Sequence, residues 1–399
     1  MRNIFLIELK KIFSQKKTYI IWIIFILMLI FNYKVNMIQT DHFISSTLNT
    51  ENSNFMNSYN SAKSGLEGIK YTLEDKNTSP GEKKEYEKYL KNKQEQMNNY
   101  DILLDKNSKE MDKIKAKINI LKSEMKEISY GKLNTSFDLN RYKRELRFLT
   151  YLEQNKIPEE TGKKNSFTFM LKFFASTFTV GAIFLIALFS SDIFTKEYED
   201  STIKLMLVQP ISRKKVLLGK YLSLICSIII IVLSTMLIGF IIVGIKDGFG
   251  NPNYPYIYNM TYIINNTSNI LEYVINSGIY ISAASMIIRQ LMFFILLLIT
   301  VASISFTISE LSTTSTISTT IGVILNMFLI YYVFGTKGMR GVTKYTYVTY
   351  SKVFSLFSGN LKQTLNNNGI SPLSGIVLMV VLNIGCCVVS SIFFSRKEI

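Results

Sequence analysis

The chain has 399 residues, of which 48% are hydrophobic, and a formal net charge of +16. This charge does not indicate nucleic-acid binding, because residues 39–166 carry 23 basic and 20 acidic residues, and the excess lies near apolar runs, where basic side chains meet lipid headgroups. One histidine and three cysteines, all three inside apolar runs, exclude a Cys/His metal site.

Six apolar runs are long enough to cross a bilayer, for which a helix needs ~20 residues. Hydrocarbon offers backbone amides no hydrogen-bond partner, so each run is predicted to be an α-helix. The sequence predicts an all-α integral membrane protein with six transmembrane helices and an extracellular, coiled-coil-like helical domain between the first two. The predicted spans are residues 19–38, 167–190, 216–245, 284–308, 315–334 and 372–394.

Residues 1–18 are predicted to form an amphipathic helix on the cytoplasmic membrane surface. Five basic residues and one acid precede Tyr19, and such a basic flank stays in the cytoplasm. No small-residue cleavage site follows the first apolar run, so we expect an uncleaved span rather than a signal peptide.

The basic N-terminal segment, residues 1–18, determines the predicted orientation of the other segments. Both termini, including the tail 395–399, are expected in the cytoplasm, together with the basic loop 191–215. Residues 39–166 and the loop 246–283 are then extracellular, and residues 335–371 are extracellular or re-entrant. Residues 335–371 are also basic, so they fit the rule that basic segments stay in the cytoplasm less well than the others do.

Residues 39–166 contain a heptad pattern. Apolar or amphipathic positions alternate by four and three residues from Tyr86 to Ile128, which predicts one unbroken helix with Asn107 as its polar seam residue. Shorter patterns at residues 59–73 and 142–149 predict two more helices that pack against it. The domain is either a spacer stalk or a binding or gating element, and no residue in it selects a ligand.

The loop 191–215 begins with acids, continues as an amphipathic stretch and breaks at Pro210. This pattern predicts a short helix on the inner membrane face, held between two spans. Such a helix can transmit the movement of a soluble partner to both spans. The alternative is an ordinary basic loop.

The same loop resembles a known family. Its acids, Ser201-Thr202, a leucine-rich stretch, Pro210-x-Ser212-Arg213 and Gly219-Lys220 are similar to the permease subunits of ABC-2 type ABC transporters, with Ser201 where that family has glycine. The resemblance implies that this loop is a coupling helix that docks on an ATPase subunit. It also implies an interfacial N-terminal helix and short re-entrant helices near residues 345–357. The residues expected to couple to the ATPase are Glu197, Glu199, Asp200, Thr202, Leu205, Pro210 and Arg213.

No phosphate-binding loop and no catalytic constellation occurs in the sequence. We therefore expect no enzyme activity, no metal and no cofactor in this chain, with ATP and magnesium bound by a partner ATPase. The resemblance implies further partners, namely a second permease copy or a related permease and membrane lipid, in a bacterial plasma membrane. Nucleic acid is not expected as a partner.

The functional prediction is an ATP-driven exporter of amphipathic peptide, antimicrobial or lipid-like cargo. The alternative is a membrane sensor or immunity protein whose extracellular coiled coil detects an antimicrobial or another extracellular molecule. For the exporter, we expect cargo to pass between spans two and five of facing subunits. Glu310 either pairs with the coupling loop or is a solvated turn acid. The candidate pathway residues are Phe174, Phe178, Phe184, Asn326 and Phe328.

Overall fold

The computed structural model describes residues 2–74, 80–105, 107–129, 139–160, 163–200, 212–265, 270–274, 276–335 and 341–396. It is 79% helical and divides into two units, residues 1–37 with 164–399 and residues 38–163. In chain order the helices are α1 (Arg2–Ser14), α2 (Lys16–Glu74), α3 (Pro80–Leu104), α4 (Glu110–Ser129), α5 (Leu139–Gln154), α6 (Ser166–Ala175), α7 (Phe178–Ser190), α8 (Thr195–Glu199), α9 (Arg213–Asp247), α10 (Ala283–Leu311), α11 (Ser315–Ile330), α12 (Val353–Ser358), α13 (Asn360–Thr364) and α14 (Pro372–Arg396).

The described residues contain six helical segments long and apolar enough to cross a membrane, so the prediction of an all-α membrane protein with six spans is confirmed. Their apolar stretches begin in α2, α7, α9, α10, α11 and α14. The helix α10 lies at the centre of its unit, because 61% of its apolar window is buried, against 22% for α11 and 11% for α14. The last two helices therefore leave most of their apolar surface uncovered by their own subunit.

The second predicted span consists of two helices, α6 and α7, which are separated at Ser176-Thr177. Asn165 caps the start of α6, where the backbone N–H of Thr168 donates to Asn165 Oδ1 at 2.8 Å. At the break, the buried Asn32 of α2 donates from Nδ2 to Ser176 Oγ at 3.0 Å. A polar side chain in a neighbouring span thus satisfies a hydroxyl at the point where the helix is interrupted.

The N-terminal helix α1 packs closely against α9. A Cβ atom added at Gly219 of α9 would lie 2.7 Å from Ile4 Cγ2, closer than van der Waals contact. The hydroxyl of Ser223, one turn further along α9, donates to the backbone oxygen of Phe5 at 2.9 Å. Glycine at this position therefore allows the two backbones to approach each other.

Four short strands form two antiparallel pairs in the segment 246–283, which was predicted to be a loop. Strand β1 (Pro255–Tyr258) pairs with β4 (Ile279–Ser282), and β2 (Tyr262–Asn265) pairs with β3 (Ile270–Tyr273), inside the first pair. Alternating tyrosine and isoleucine residues favour these strands, since both side chains pack well on a pleated surface.

The residues between β1 and β2 pack against the segment that follows α11. This segment forms a short π-helix at Tyr331–Gly335, 3₁₀ helices at Thr343–Tyr345 and Tyr347–Ser351, and then α12 and α13. Short helices are therefore present where residues 345–357 were expected to contain them. The backbone N–H of Met260 donates to Ser358 O at 3.0 Å. Gly359 has φ +94°, and a Cβ there would lie 2.6 Å from Met260 O, so only glycine fits this contact.

In the unit of residues 38–163, α3 and α4 form an antiparallel hairpin. Gln96 Nε2 donates to Ser123 Oγ at 2.7 Å, and Tyr100 OH donates to Glu124 at 3.2 Å. Buried apolar side chains of α4, such as Ile114 and Ile118, form part of the core of this unit.

The prediction of one unbroken helix from residue 86 to 128 is wrong, because α3 ends at Leu104 and α4 begins at Glu110. Asn107 is a turn residue rather than a seam residue, since its backbone N–H donates to Asp105 Oδ1 at 3.0 Å. The hydroxyl of Ser108 donates to Asp105 Oδ2 at 2.9 Å. Such side-chain bonds to local backbone favour turns over helix interiors.

Candidate functional site

The segment Ser191–Asp200, called the junction here, follows the second span and starts the predicted coupling loop. The helix α7 ends at Ser190, a turn leads to Phe194, and α8 covers Thr195–Glu199. The described part of the chain stops at Asp200 and resumes at Ser212. Three predicted coupling residues, Thr202, Leu205 and Pro210, lie outside the described residues.

A buried cluster of charges holds one side of the junction. Lys220 Nζ of α9 lies 2.6 Å from Glu197 Oε1 and 2.9 Å from Glu8 Oε1 of α1. Lys11 Nζ lies 2.5 Å from the same Glu197 oxygen. The side chains of Lys220 and Glu197 are only 1% and 5% exposed. Because a buried charge that loses its partner is costly, this cluster fixes α1, α8 and α9 to one another.

The charge cluster continues to the start of the first span. Lys17 Nζ of α2 lies 2.6 Å from Asp192 Oδ1, and it also donates to the backbone oxygen of Phe189 at 3.4 Å. The junction is therefore bonded to the first span as well as to α1.

Hydroxyl groups of α10 and α11 hold the opposite side of the junction. Ser309 Oγ accepts hydrogen bonds from the backbone N–H groups of Phe194 at 3.1 Å and Thr195 at 3.3 Å. Ser318 Oγ donates to the backbone oxygen of Ser191 at 2.6 Å. These bonds pair two backbone N–H groups at the start of α8 and one carbonyl at the end of α7, groups that have no partner within their own helices.

Glu199 forms a second link to α11. Both the backbone N–H and the hydroxyl of Ser315 donate to its carboxylate, each at 2.8 Å. Ser315 is the first residue of α11, so a carboxylate from α8 pairs a free N–H group at the positive end of this helix.

Phe194 is the apolar centre of the junction and is fully buried. Its ring lies 4.9 Å from that of Phe306 in α10 and 5.4 Å from that of Phe394 in α14, measured between centroids. Arg213, the first residue of α9, donates from Nη1 to the backbone oxygen of Phe394 at 3.4 Å. The last turn of the sixth span is thus connected to the same cluster.

Among the predicted coupling residues within the described part, some bond to neighbouring helices and one is exposed. Glu197 and Glu199 lie in the junction and bond to neighbouring helices, and Arg213 bonds to α14. Asp200 is exposed at the end of the described segment. Glu310 is 1% exposed, so its interpretation as a solvated turn acid is wrong.

The predicted pathway residues do not lie on one surface. Phe174 and Asn326 are buried within the subunit, and Asn326 Oδ1 accepts a hydrogen bond from Tyr347 at 2.8 Å. Phe178 and Phe184 are half-buried, and Phe178 packs edge-on against Phe31 at 5.8 Å. Phe328 is 62% exposed on α11.

Glu8 and Ser309 were not predicted from the sequence as partners of the junction. Glu8 is the only acid before Tyr19, and Lys220 is a lone charge inside a long apolar helix. Both residues could therefore have been predicted to form ion pairs. Nothing local marks Ser309 among the many serines and threonines of residues 300–320. Its role depends on a contact with residues more than 100 positions earlier in the chain.

The junction connects several helices of the bundle. It contacts α1, α2, α9, α10, α11 and α14, all at one end of the helical bundle. Among the described residues, no group of three or more His, Cys, Asp or Glu side chains could hold a metal ion. Bonds or ring contacts thus connect the junction to each of these helices.

Comparison with known proteins identifies the family of the chain. A family model described as ABC-2 family transporter protein matches residues 2–398. A search of curated proteins finds no match to the chain. The family match covers nearly the whole chain, including the junction and all six membrane helices. The chain therefore belongs to the ABC-2 family of transporter proteins and is a multi-pass transporter permease subunit.

Proposed function

We propose that this permease subunit is the membrane half of an ATP-driven exporter and that the junction receives work from a separate ATPase subunit. The observation that carries the proposal is that a ten-residue segment, Ser191–Asp200, bonds or packs against six helices at one end of the bundle. A partner that pushes or pulls on α8 and the residues after it acts on all of these helices together.

ATP and magnesium belong to the partner subunit in this proposal. Basic residues support a cytoplasmic position for the junction, because α1, the start of α9 and the end of α14 carry many of them at the same end of the bundle. Both termini are then cytoplasmic, in a bacterial plasma membrane, and residues 39–166 are extracellular.

A second permease copy, or a related permease, is proposed to face α11. A stripe with four-three spacing and 47–68% exposure runs along this helix and into the turn after it, formed by Ile317, Ile321, Ile324, Phe328 and Tyr331. Such a stripe is the seam that another helix packs against. Cargo would pass along this interface, and its exposed aromatic and aliphatic side chains suit amphipathic peptide, antimicrobial or lipid-like molecules.

Cysteine cross-linking tests the facing helices. In a background with Cys226, Cys386 and Cys387 changed to serine, Phe328→Cys should cross-link two permease subunits. Val381→Cys is the matched control, because Val381 is 60% exposed on α14, outside the proposed interface. Equal cross-linking at both positions, or none at Phe328, would place the interface elsewhere.

Purification with the ATPase tests the coupling role. The chain should co-purify with a nucleotide-binding subunit encoded beside it, and Glu199→Gln should lower the dependence of ATP hydrolysis on the permease. The sensor alternative expects a chain that purifies alone or with a kinase, and either result would favour it over the exporter.

A further inference from the structure

A cleft of about 90 Å³ lies between α9, α10 and α14, outside the junction. Lys214 stands at one end of its lining, and Tyr221 and Ser303 lie further along. Seven residues of helix separate Lys214 from Tyr221, which corresponds to a depth of about 10 Å. The cleft is much smaller than the ~300–1,000 Å³ of typical small-molecule sites. It therefore suits one linear part of a ligand rather than a fully enclosed molecule.

The surroundings of the cleft are the parts of the bundle that face lipid. Leu218, which lines it, is 41% exposed, and Val388 and Ile392 on the adjoining surface of α14 are 52% and 46% exposed. These residues lie on spans whose outer surface contacts hydrocarbon. The molecules that meet the cleft first are therefore membrane lipids.

The polar groups inside the cleft already have partners. Tyr221 OH and Ser303 Oγ are 2.7 Å apart, and Ser303 also donates to Asn383 Oδ1 at 2.6 Å. Thr307 and Ser390 hydroxyls are 3.2 Å apart. An occupant needs no ionised group here, and the mixture of methyl, ring and hydroxyl surface suits the glycerol and upper acyl region of a lipid.

The charge lies at the mouth of the cleft. Lys214 is exposed, belongs to the first turn of α9 and has no ion-pair partner within the described ranges. None of the described residues that line the cleft is acidic. An ammonium group at the membrane surface above an apolar cleft is complementary to a molecule with an anionic head and an acyl chain.

We propose that this cleft binds one anionic phospholipid from the leaflet in which α9 begins. The lipid phosphate pairs with Lys214, and the upper part of one acyl chain lies against Leu218 and Phe306. The proposal does not depend on ATP coupling, because it uses only the membrane-facing surface of one subunit.

The test measures lipid binding to the full-length chain in detergent by native mass spectrometry, with titrated dioleoyl phosphatidylglycerol or dioleoyl phosphatidylcholine. Lys214→Gln should weaken phosphatidylglycerol binding about fivefold, the effect of one basic residue near an anionic lipid surface. Lys215→Gln is the matched control, because Lys215 is an equally exposed neighbour that does not line the cleft. It should change binding less than about twofold.

A second pair of variants tests the cleft itself. Cys387→Phe places a ring in the cleft and should abolish the tight phosphatidylglycerol site, whereas Cys387→Ser keeps the size of the side chain and should retain it. Equal losses in the Lys214 and Lys215 variants would show diffuse surface attraction and overturn the proposal. It is also overturned if phosphatidylcholine binds as tightly as phosphatidylglycerol, or if Cys387→Phe retains the site.

Discussion

Lys220 Nζ lies 2.6 Å from Glu197 Oε1, and both side chains are buried where the second and third spans meet the junction. A third member, Glu8, brings α1 to the same ammonium group at 2.9 Å. Two carboxylates share this one buried lysine, so its loss removes a partner from both acids at once.

Lys220→Met should therefore destabilise the subunit by about 3–5 kcal/mol, the usual cost of removing one partner from a buried ion pair. The measurement is the thermal unfolding midpoint in detergent. Lys246→Met is the matched control, since Lys246 lies in the last turn of the same helix. If both variants unfold at the same temperature, the cluster does not stabilise the fold.

Gly219→Ala should destabilise the contact between α1 and α9 by about 1–3 kcal/mol, because the added Cβ would overlap Ile4 Cγ2. Shortening the neighbour in the double variant with Ile4→Ala should restore part of the loss. Gly385→Ala is the control, since nothing lies within 4 Å of that site on α14. A Gly219 variant as stable as the control would contradict the close approach of the two helices.

The turn between α3 and α4 should weaken in acid. The backbone N–H of Asn107 and the hydroxyl of Ser108 lower the pKa of the Asp105 carboxyl. A carboxyl with a lower pKa in the folded chain stabilises it above the unfolded pKa of ~4, and that contribution is lost as pH falls through the folded value.

Amide hydrogen exchange across α3 and α4, corrected for the intrinsic effect of pH, measures this change. Protection should fall with acid in the native chain and depend less on pH in Asp105→Asn, which does not titrate. The same pH dependence in both proteins would show that the carboxylate does not hold the turn.

Local patterns predict the spans well, because a long apolar run has one stable form in hydrocarbon. Local patterns do not predict the structure where one pattern is compatible with two different structures. The heptad spacing continues across Asp105–Ser108, yet those residues pair with one another and turn the chain, so the seam belongs to two helices that face each other. The strands β1–β4 were missed because short tyrosine and isoleucine runs between spans also fit a loop.

The junction shows a different limit. Its acids are visible in the sequence, and family resemblance marks them as coupling residues. Their partners are set by tertiary contacts, such as the bond from Lys220 to Glu8, which lie 212 positions apart. Asn326 illustrates the same point, because an amide in a span suggests a pathway, whereas its observed partner is the hydroxyl of Tyr347.

Cross-linking from the junction to the ATPase subunit tests the central claim most directly. The helix α9 has 35 residues and is about 50 Å long, so its end at Asp247 lies far from the junction, at the other end of the helix. In the cysteine-free background, Asp200→Cys should form a bismaleimide cross-link to the ATPase, and Asp247→Cys should form none. A cross-link at Asp247 alone, or at neither position in an intact complex, would contradict the coupling role of the junction.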